Sequence, residues 1–234
     1  MSPATLDAHY RRRGPTRHTG AAVNVTWPLI GREQALDLVR GELRPPHPPA
    51  RVRGAPRGGG KPRLAKECLA VGEAAGFAAA LAVASRAAAE IPLGALAPLL
   101  PPATGAAERG VAMLQEATDG LVELAAGRPL LLVVDDAHNL DDASALVLQG
   151  LAAARTAYVV ATVRSGERVP EPVVALWKDG LAERLELGPL DQLEVAELLE
   201  AVLGGPVEGK VLQQFWTASE GNVLYLRELV LGSL

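Results

Sequence analysis

Apolar and polar positions alternate along this chain in two rhythms, one of strands and one of helices. Leu130 to Val134 is an unbroken apolar run that ends abruptly in Asp135 and Asp136. Too short to span a membrane and β-branched at its end, it predicts a strand buried on both faces, as in a parallel sheet. Tyr158 to Val163 is a second such run, closed by Arg164 and Ser165, and the Ala-rich stretch Phe77 to Ser85 predicts a further strand. Leu185 to Leu187 predicts the last, short one. Between these runs the spacing is helical. Ala35, Leu36, Leu38, Val39 and Leu43 make one amphipathic face. Leu64, Ala65, Cys68, Leu69 and Val71 make another, running to about Gly76. Val111, Leu114, Leu121, Val122 and Leu124 mark a long helix over 110–126, which Gly127 ends. Helices are also predicted over 143–154 and 173–180. Residues 91–102 read as a loop and short helix closed by Pro101 and Pro102, and the proline-rich 44–50 as a connector. From Leu190 onward only helices are predicted, over 191–203, 207–219 and 222–232. Strands alternating with helices and then helices alone specify an α/β parallel sheet flanked by helices, followed by a small helical domain. The expected divisions are a leader over 1–26, the α/β domain over 27–188 and the helical domain over 189–234.

Composition adds limits. Of the 234 residues 49% are hydrophobic but only 3% aromatic, so Ala, Leu and Val must build the core. No apolar stretch approaches the roughly 18 residues of a membrane span, and the N-terminus lacks the apolar core of a signal peptide. The single Cys68 cannot form an internal disulfide, which fits a reducing cytoplasm. No Cys/His cluster has metal-binding spacing. The net charge of −4 hides an asymmetry: residues 1–66 hold 13 Lys/Arg against 4 Asp/Glu, and the remainder 10 against 23. Arg11, Arg12, Arg13 and Arg17 could form a nucleic-acid arm, but no aromatic interleaves with them and no helix-turn-helix pattern adjoins. A disordered basic leader is the plainer reading, so no direct DNA binding is expected from this chain.

Candidate chemistry gathers at the carboxyl ends of the strands, where open α/β sheets bind ligands. Asp135 and Asp136 suit a Mg²⁺ ion brought by a nucleotide, since Mg²⁺ takes one or two carboxylates and completes its shell with phosphate oxygens. The alternative is a strand end whose acids cap the next segment. Gly58, Gly59 and Gly60 before Lys61 suggest a phosphate-cradling loop that opens a helix, although glycine runs also occur in linkers. His138 and Asn139 follow the carboxylates and could touch the same site. Asp141 and Asp142 read as helix caps, and Cys68 as a core residue.

Seven segments, in order, give a resemblance. PLIGREQAL, GGGKPRLAKECL, IPLGALAPLLP, LLLVVDDAHNLDDAS, VVATVRSGE, LELGPLDQLEVAELL and EGNVLYLRELV resemble the N-terminal P-loop ATPase (AAA/STAND-type) region of large LuxR-type transcriptional regulators. The similarity covers about residues 28–232 and implies a P-loop NTPase-type sheet followed by a helical domain. It implies an ATP/ADP site with Mg²⁺. There Gly58, Gly59, Gly60 and Lys61 would hold the phosphates, and Asp135 the metal. Asp136 would orient or activate the attacking water, and Arg164 would sense the γ-phosphate. Gly221 would close over the adenine side, with Gly31 and Arg32 near the base. It further implies a cytoplasmic protein whose partners are nucleotide and other domains or subunits of a regulator, with no membrane association. The family's C-terminal DNA-binding element is not in this chain, which is expected to be a fragment or a truncated relative.

The sequence departs from that pattern in the phosphate loop. In GxxxxGK[ST] the first glycine falls on Ala55 and the last position on Pro62. Proline supplies neither the Mg²⁺-binding hydroxyl nor a backbone N–H, and it biases Lys61 away from the helical conformation. Losing such contacts costs about 1.5–3 kcal/mol for each hydrogen bond to a charged group. Arg51 and Arg53 stand where a buried strand should be apolar, and Val223 replaces the proline expected after Asn222. The expectation is a regulatory module with weakened nucleotide binding and hydrolysis. The alternatives are a slow Mg²⁺-dependent ATPase and a nucleotide-free scaffold for protein interaction.

Overall fold

The computed structural model describes residues 27–43, 60–102 and 110–233. The leader 1–26, the connector 44–50, Arg51, Arg53, Gly58 and Gly59 lie outside the described residues.

Strands β1 (Ala78–Val83), β2 (Leu130–Asp135) and β3 (Ala157–Ala161) form a parallel sheet in that order. All six residues of β2 are buried, as its uninterrupted apolar run requires of a central strand. Side chains on a strand alternate between faces, and two separate clusters follow from that period. Leu130, Leu132 and Val134 face one cluster with Ala78, Ala80, Val159 and Ala161, while Leu131 and Val133 face the other with Tyr158 and Val160. Burying each leucine contributes about 1.5–3 kcal/mol.

Helices α1 (Glu33–Glu42) and α2 (Lys61–Ala74) cover the Leu131 side through Ala35, Leu36, Val39, Leu64, Ala65 and Cys68. The Tyr158 hydroxyl donates to the Glu42 carboxylate and fastens α1 to β3. Helices α3 (Val111–Leu124), α4 (Asp142–Ala153) and α5 (Glu171–Lys178) cover the other side. Residues 91–102 form no regular helix beyond the 3-10 turn Ala97–Leu99.

Residues 185–187 correct the sequence reading. They are not a strand, because a strand needs a hydrogen-bonded neighbour and no described strand lies beside them. Their alternation still has a use: Leu185 and Leu187 pack, half-buried, against the Leu131-side cluster.

Three helices follow: α6 (Gln192–Leu203), α7 (Gly209–Ser219) and α8 (Val223–Ser233). Asp191 and Glu194 start α6 with a reciprocal capping box, each side chain accepting from the other's backbone N–H at 2.8 Å. Leu190, Val195, Leu198, Leu199, Leu226 and Val230 form the core of this unit. Trp27, Ile30 and Trp216 pack onto it, while Leu29 packs on the sheet side, so the opening segment touches both parts of the molecule. No helix among the described residues is long and apolar enough to cross a membrane.

Candidate nucleotide site

Asp135 is the last residue of β2 and is 7% exposed. Its Oδ1 accepts from the Thr162 hydroxyl at 2.5 Å. The same hydroxyl accepts from the Asp136 N–H at 2.9 Å. Thr162 stands just past β3, where its backbone N–H donates to Val134 at 2.8 Å and its carbonyl accepts from Ala137 at 2.7 Å. One buried side chain thus joins both strand ends and both acids.

Asp136 leaves the strand with φ 54° and ψ 42°, the left-handed region, where aspartate is among the tolerated non-glycine residues. That turn starts the 3-10 turn Ala137–Asn139 and aims the Asp136 carboxylate at Arg164. Arg164 Nη2 donates to Oδ2 at 2.7 Å and Nε to Oδ1 at 3.3 Å, a two-pronged pair. The hydrogen bond to Asp136 raises the Arg164 pKa further, so the guanidinium stays charged.

His138 lies on the same turn. Its side chain is 5% exposed, and its Nδ1 stands 3.9 Å from Asp136 Oδ1. Nδ1 is buried and has no hydrogen-bond partner. Burial pulls the His138 pKa below its ordinary value. Asp136 opposes that shift, while Arg164 and Lys61 add to it.

Lys61 therefore lies within electrostatic reach of the acidic end of β2, although sequence separates the two by more than seventy positions. It is buried at the first position of α2, after Gly60 at φ 110°. The bias of a residue before proline away from the helix does not prevail here. Leu64 N–H donates to the Gly60 carbonyl at 2.8 Å and closes the first turn, and Leu64 and Ala65 are buried below it. Pro62 sits in that first turn, where N–H groups have no intrahelical acceptor to lose.

Arg32 and Gly221 gather elsewhere, on the segment joining the sheet to α6. Arg32 is 6% exposed and donates to the carbonyls of Gly31 at 2.7 Å and Gly188 at 2.9 Å. Burial lowers its pKa, and Glu194 and Glu33 oppose that shift. Gly221 has φ 72°, and a Cβ there would lie 2.0 Å from the Leu190 carbonyl oxygen, so only glycine fits. Its own carbonyl accepts from Leu190 N–H at 2.9 Å. Among the described residues, no hydrogen bond or ion pair links this pair to Asp135, Asp136 or Arg164.

One contributor was not visible in the sequence. Thr162 reads there as one more β-branched strand residue, and the signal was its hydroxyl inside an otherwise apolar run. Asp141 does cap α4, accepting from Ser144 N–H at 2.9 Å, and Asp142 is the helix's first residue. Asp141 also accepts from Leu93 N–H at 3.0 Å, which ties the 91–102 loop to the turn after β2. Cys68 is a core residue, 1% exposed.

No group of three or more His, Cys, Asp or Glu among the described residues could hold a metal ion by itself. The two carboxylates fit an ion that arrives with phosphate oxygens.

No family model matches the chain, and no curated protein does. Solved structures do. The Orc1 protein of Aeropyrum pernix, in complex with DNA, is similar at a TM-score of 0.53 and 16% identity over 86% of this chain. DnaA of Aquifex aeolicus, bound to AMPPCP, is similar at 0.57 and 13% over 86%. Cdc6p of Pyrobaculum aerophilum is similar at 0.57 and 19% over 83%. The fold is that of an AAA+ P-loop NTPase. At these identities the likeness shows the fold. The chain spans 57%, 60% and 56% of those three chains' own lengths.

Proposed function

We propose that this chain is an ATP- or ADP-binding regulatory module of a LuxR-type transcriptional regulator, weakened in binding and hydrolysis by Pro62. The observation that carries the reading is the constellation of Asp135, Asp136 and Arg164, knit by Thr162, at the carboxyl end of the central strand, with Lys61 close by. Open α/β sheets bind their ligands at such a position, outside the carboxyl ends of the strands. Lys61, at the start of α2, would meet the phosphates, followed by Mg²⁺ on Asp135. The ion would neutralise charge on the phosphate oxygens. Asp136 would hold the attacking water at its carboxylate, and Arg164 would leave Asp136 for the γ-phosphate. Arg32 and Gly221 would close the adenine side, and the segment they share would pass nucleotide state to the helical unit. The chain would work in the cytoplasm, with DNA contacted by other domains or subunits.

A slow ATPase is the second reading. The buried, helical Lys61 together with the intact acids favours it over an inert scaffold. Titration of the purified chain with Mg²⁺–ATP and with ADP separates the readings. Micromolar binding without turnover is expected, whereas turnover identifies the ATPase, and no binding at millimolar nucleotide leaves the scaffold. Restoring the hydroxyl with Pro62→Thr is expected to tighten Mg²⁺–nucleotide binding about tenfold, the equivalent of one hydrogen bond to a charged group. Unchanged affinity would mean that Pro62 does not lie at the metal.

A further inference from the structure

The two edges of the sheet differ. Every residue of β3 is buried. Along β1, Ala79 and Leu81 are half-buried and Val83 is 58% exposed. A strand bonds the neighbours on its two sides through alternate residues. Ala78 N–H donates to the Pro129 carbonyl at 2.9 Å and Ala84 N–H to that of Asp135 at 3.0 Å, so the even-numbered residues of β1 serve β2. The N–H and C=O groups of Ala79, Leu81 and Val83 therefore point away from the sheet, and among the described residues no hydrogen bond reaches them. Just before this open stretch, Arg128 Nη1 donates to the Phe77 carbonyl at 3.4 Å and closes the amino end of the edge. Natural edges are protected by a charge, a proline, a bulge or a covering element. Residues 77–85 hold no charge and no proline, and the register from Ala78↔Leu130 to Val83↔Asp135 runs without a bulge.

We propose that the β1 edge docks a second copy of this chain, joined antiparallel across a two-fold axis so that the two sheets run on as one. The axis passes beside Leu81. Leu81 pairs with Leu81 of the second copy and Ala79 with its Val83. Each pair exchanges two N–H···O bonds, which satisfies every outward group of the open stretch. The side chains of these three residues share one face of the sheet, so the exposed Val83 settles beside the small Ala79 of the other copy. Charge agrees with this register. It carries Arg86 to the turn at Gly76 of the second copy, whose N–H is bonded to the Glu73 carbonyl at 3.0 Å. Arg86 and Glu73 are both exposed, so opposite charges meet at each end of the pairing. A strand of another protein would satisfy the same backbone groups, but a second copy brings the Ala79–Val83 fit and the charge pair with it. Nothing in this contact depends on bound nucleotide.

The test is sedimentation velocity of the purified chain over a range of concentrations, with amide hydrogen exchange beside it. A monomer–dimer equilibrium is expected. Exchange at Ala79, Leu81 and Val83 should slow as concentration rises, while amides of β2 stay constant. Val83→Pro removes a donor that bonds nothing in the monomer, where an edge strand accommodates proline. Val83→Lys sets a charge on the edge. Each is expected to weaken the dimer about tenfold or more, since the two-fold makes one substitution act twice. Arg86→Glu, on an exposed residue that leaves the fold alone, is expected to weaken it as well, and adding Glu73→Arg to restore it. A chain that stays monomeric at millimolar concentration overturns the inference, as does a dimer that none of these substitutions weakens. Protection of the three amides that does not vary with concentration also overturns it, because the edge is then covered within one chain.

Discussion

Thr162 is the residue on which the acidic site depends most. Its hydroxyl donates to Asp135 and accepts from the Asp136 backbone, and it is 2% exposed. Thr162→Val keeps the shape and removes both bonds, leaving a buried carboxylate and a backbone N–H short of a partner. The expected cost is about 1–3 kcal/mol, seen as a lower urea midpoint with an unchanged slope. Arg164→Ala makes a useful contrast. The Arg164 side chain is 50% exposed, so the pair contributes about 0.2–1 kcal/mol, and the midpoint should hardly move. The two substitutions distinguish a residue that builds the site from one that waits at its rim. Sequence showed the acids and the arginine through their positions at strand ends. It could not show Thr162, because a hydroxyl in a β-branched run looks the same whether it bonds a carboxylate or packs.

At the scale of elements, α2 must lie close to β2 for Lys61 to approach the acids. Gly72 permits that approach, since a Cβ there would fall 2.2 Å from Leu131 Cδ2. Leu131 is fully buried and cannot swing away. In a free helix, alanine for glycine would gain about 1 kcal/mol. Here Gly72→Ala is expected to cost about 1–3 kcal/mol in thermal unfolding, the usual price of overpacking. Helices and strands were readable to within a few residues wherever apolar spacing was strong. The exception, 185–187, carries a strand's alternation without a described partner to bond. Pairing is a property of neighbours, and a single segment does not contain it. Lys61 differs from expectation for the opposite reason: the preference imposed by Pro62 is local, and the burial of Leu64 and Ala65 overrides it.

Among the described residues a sheet unit and a helical unit meet through the opening segment and residues 188–190. Arg32 bridges them by reaching from the opening segment to the Gly188 carbonyl. Arg32→Met keeps the apolar stem and removes the charged donors. Because burying the guanidinium is itself costly, global stability is expected to change little. The local effect should be larger. The Leu190 amide, bonded to Gly221, is expected to exchange hydrogen about tenfold faster or more, while amides of β2 stay protected. Equal acceleration in both places would mean that Arg32 supports the fold at large. That joint was only half legible in the sequence. Apolar spacing after Leu190 announces the helix over 191–203, but Arg32 has no periodic signature, since its role comes from a carbonyl 156 positions away.

The placement of the tryptophans makes this joint visible by light. There are three in the chain. Trp177 lies on α5 beneath the Arg184 guanidinium, 5.8 Å from its ring centre. Trp27 and Trp216 both pack into the helical cluster, one from the opening segment and one from α7. With Trp177→Phe, the emission excited at the red edge of indole absorption, where tyrosine does not absorb, would come from the two indoles at that cluster. A chain with 3% aromatic residues would then carry an intrinsic, label-free reporter where its two parts meet.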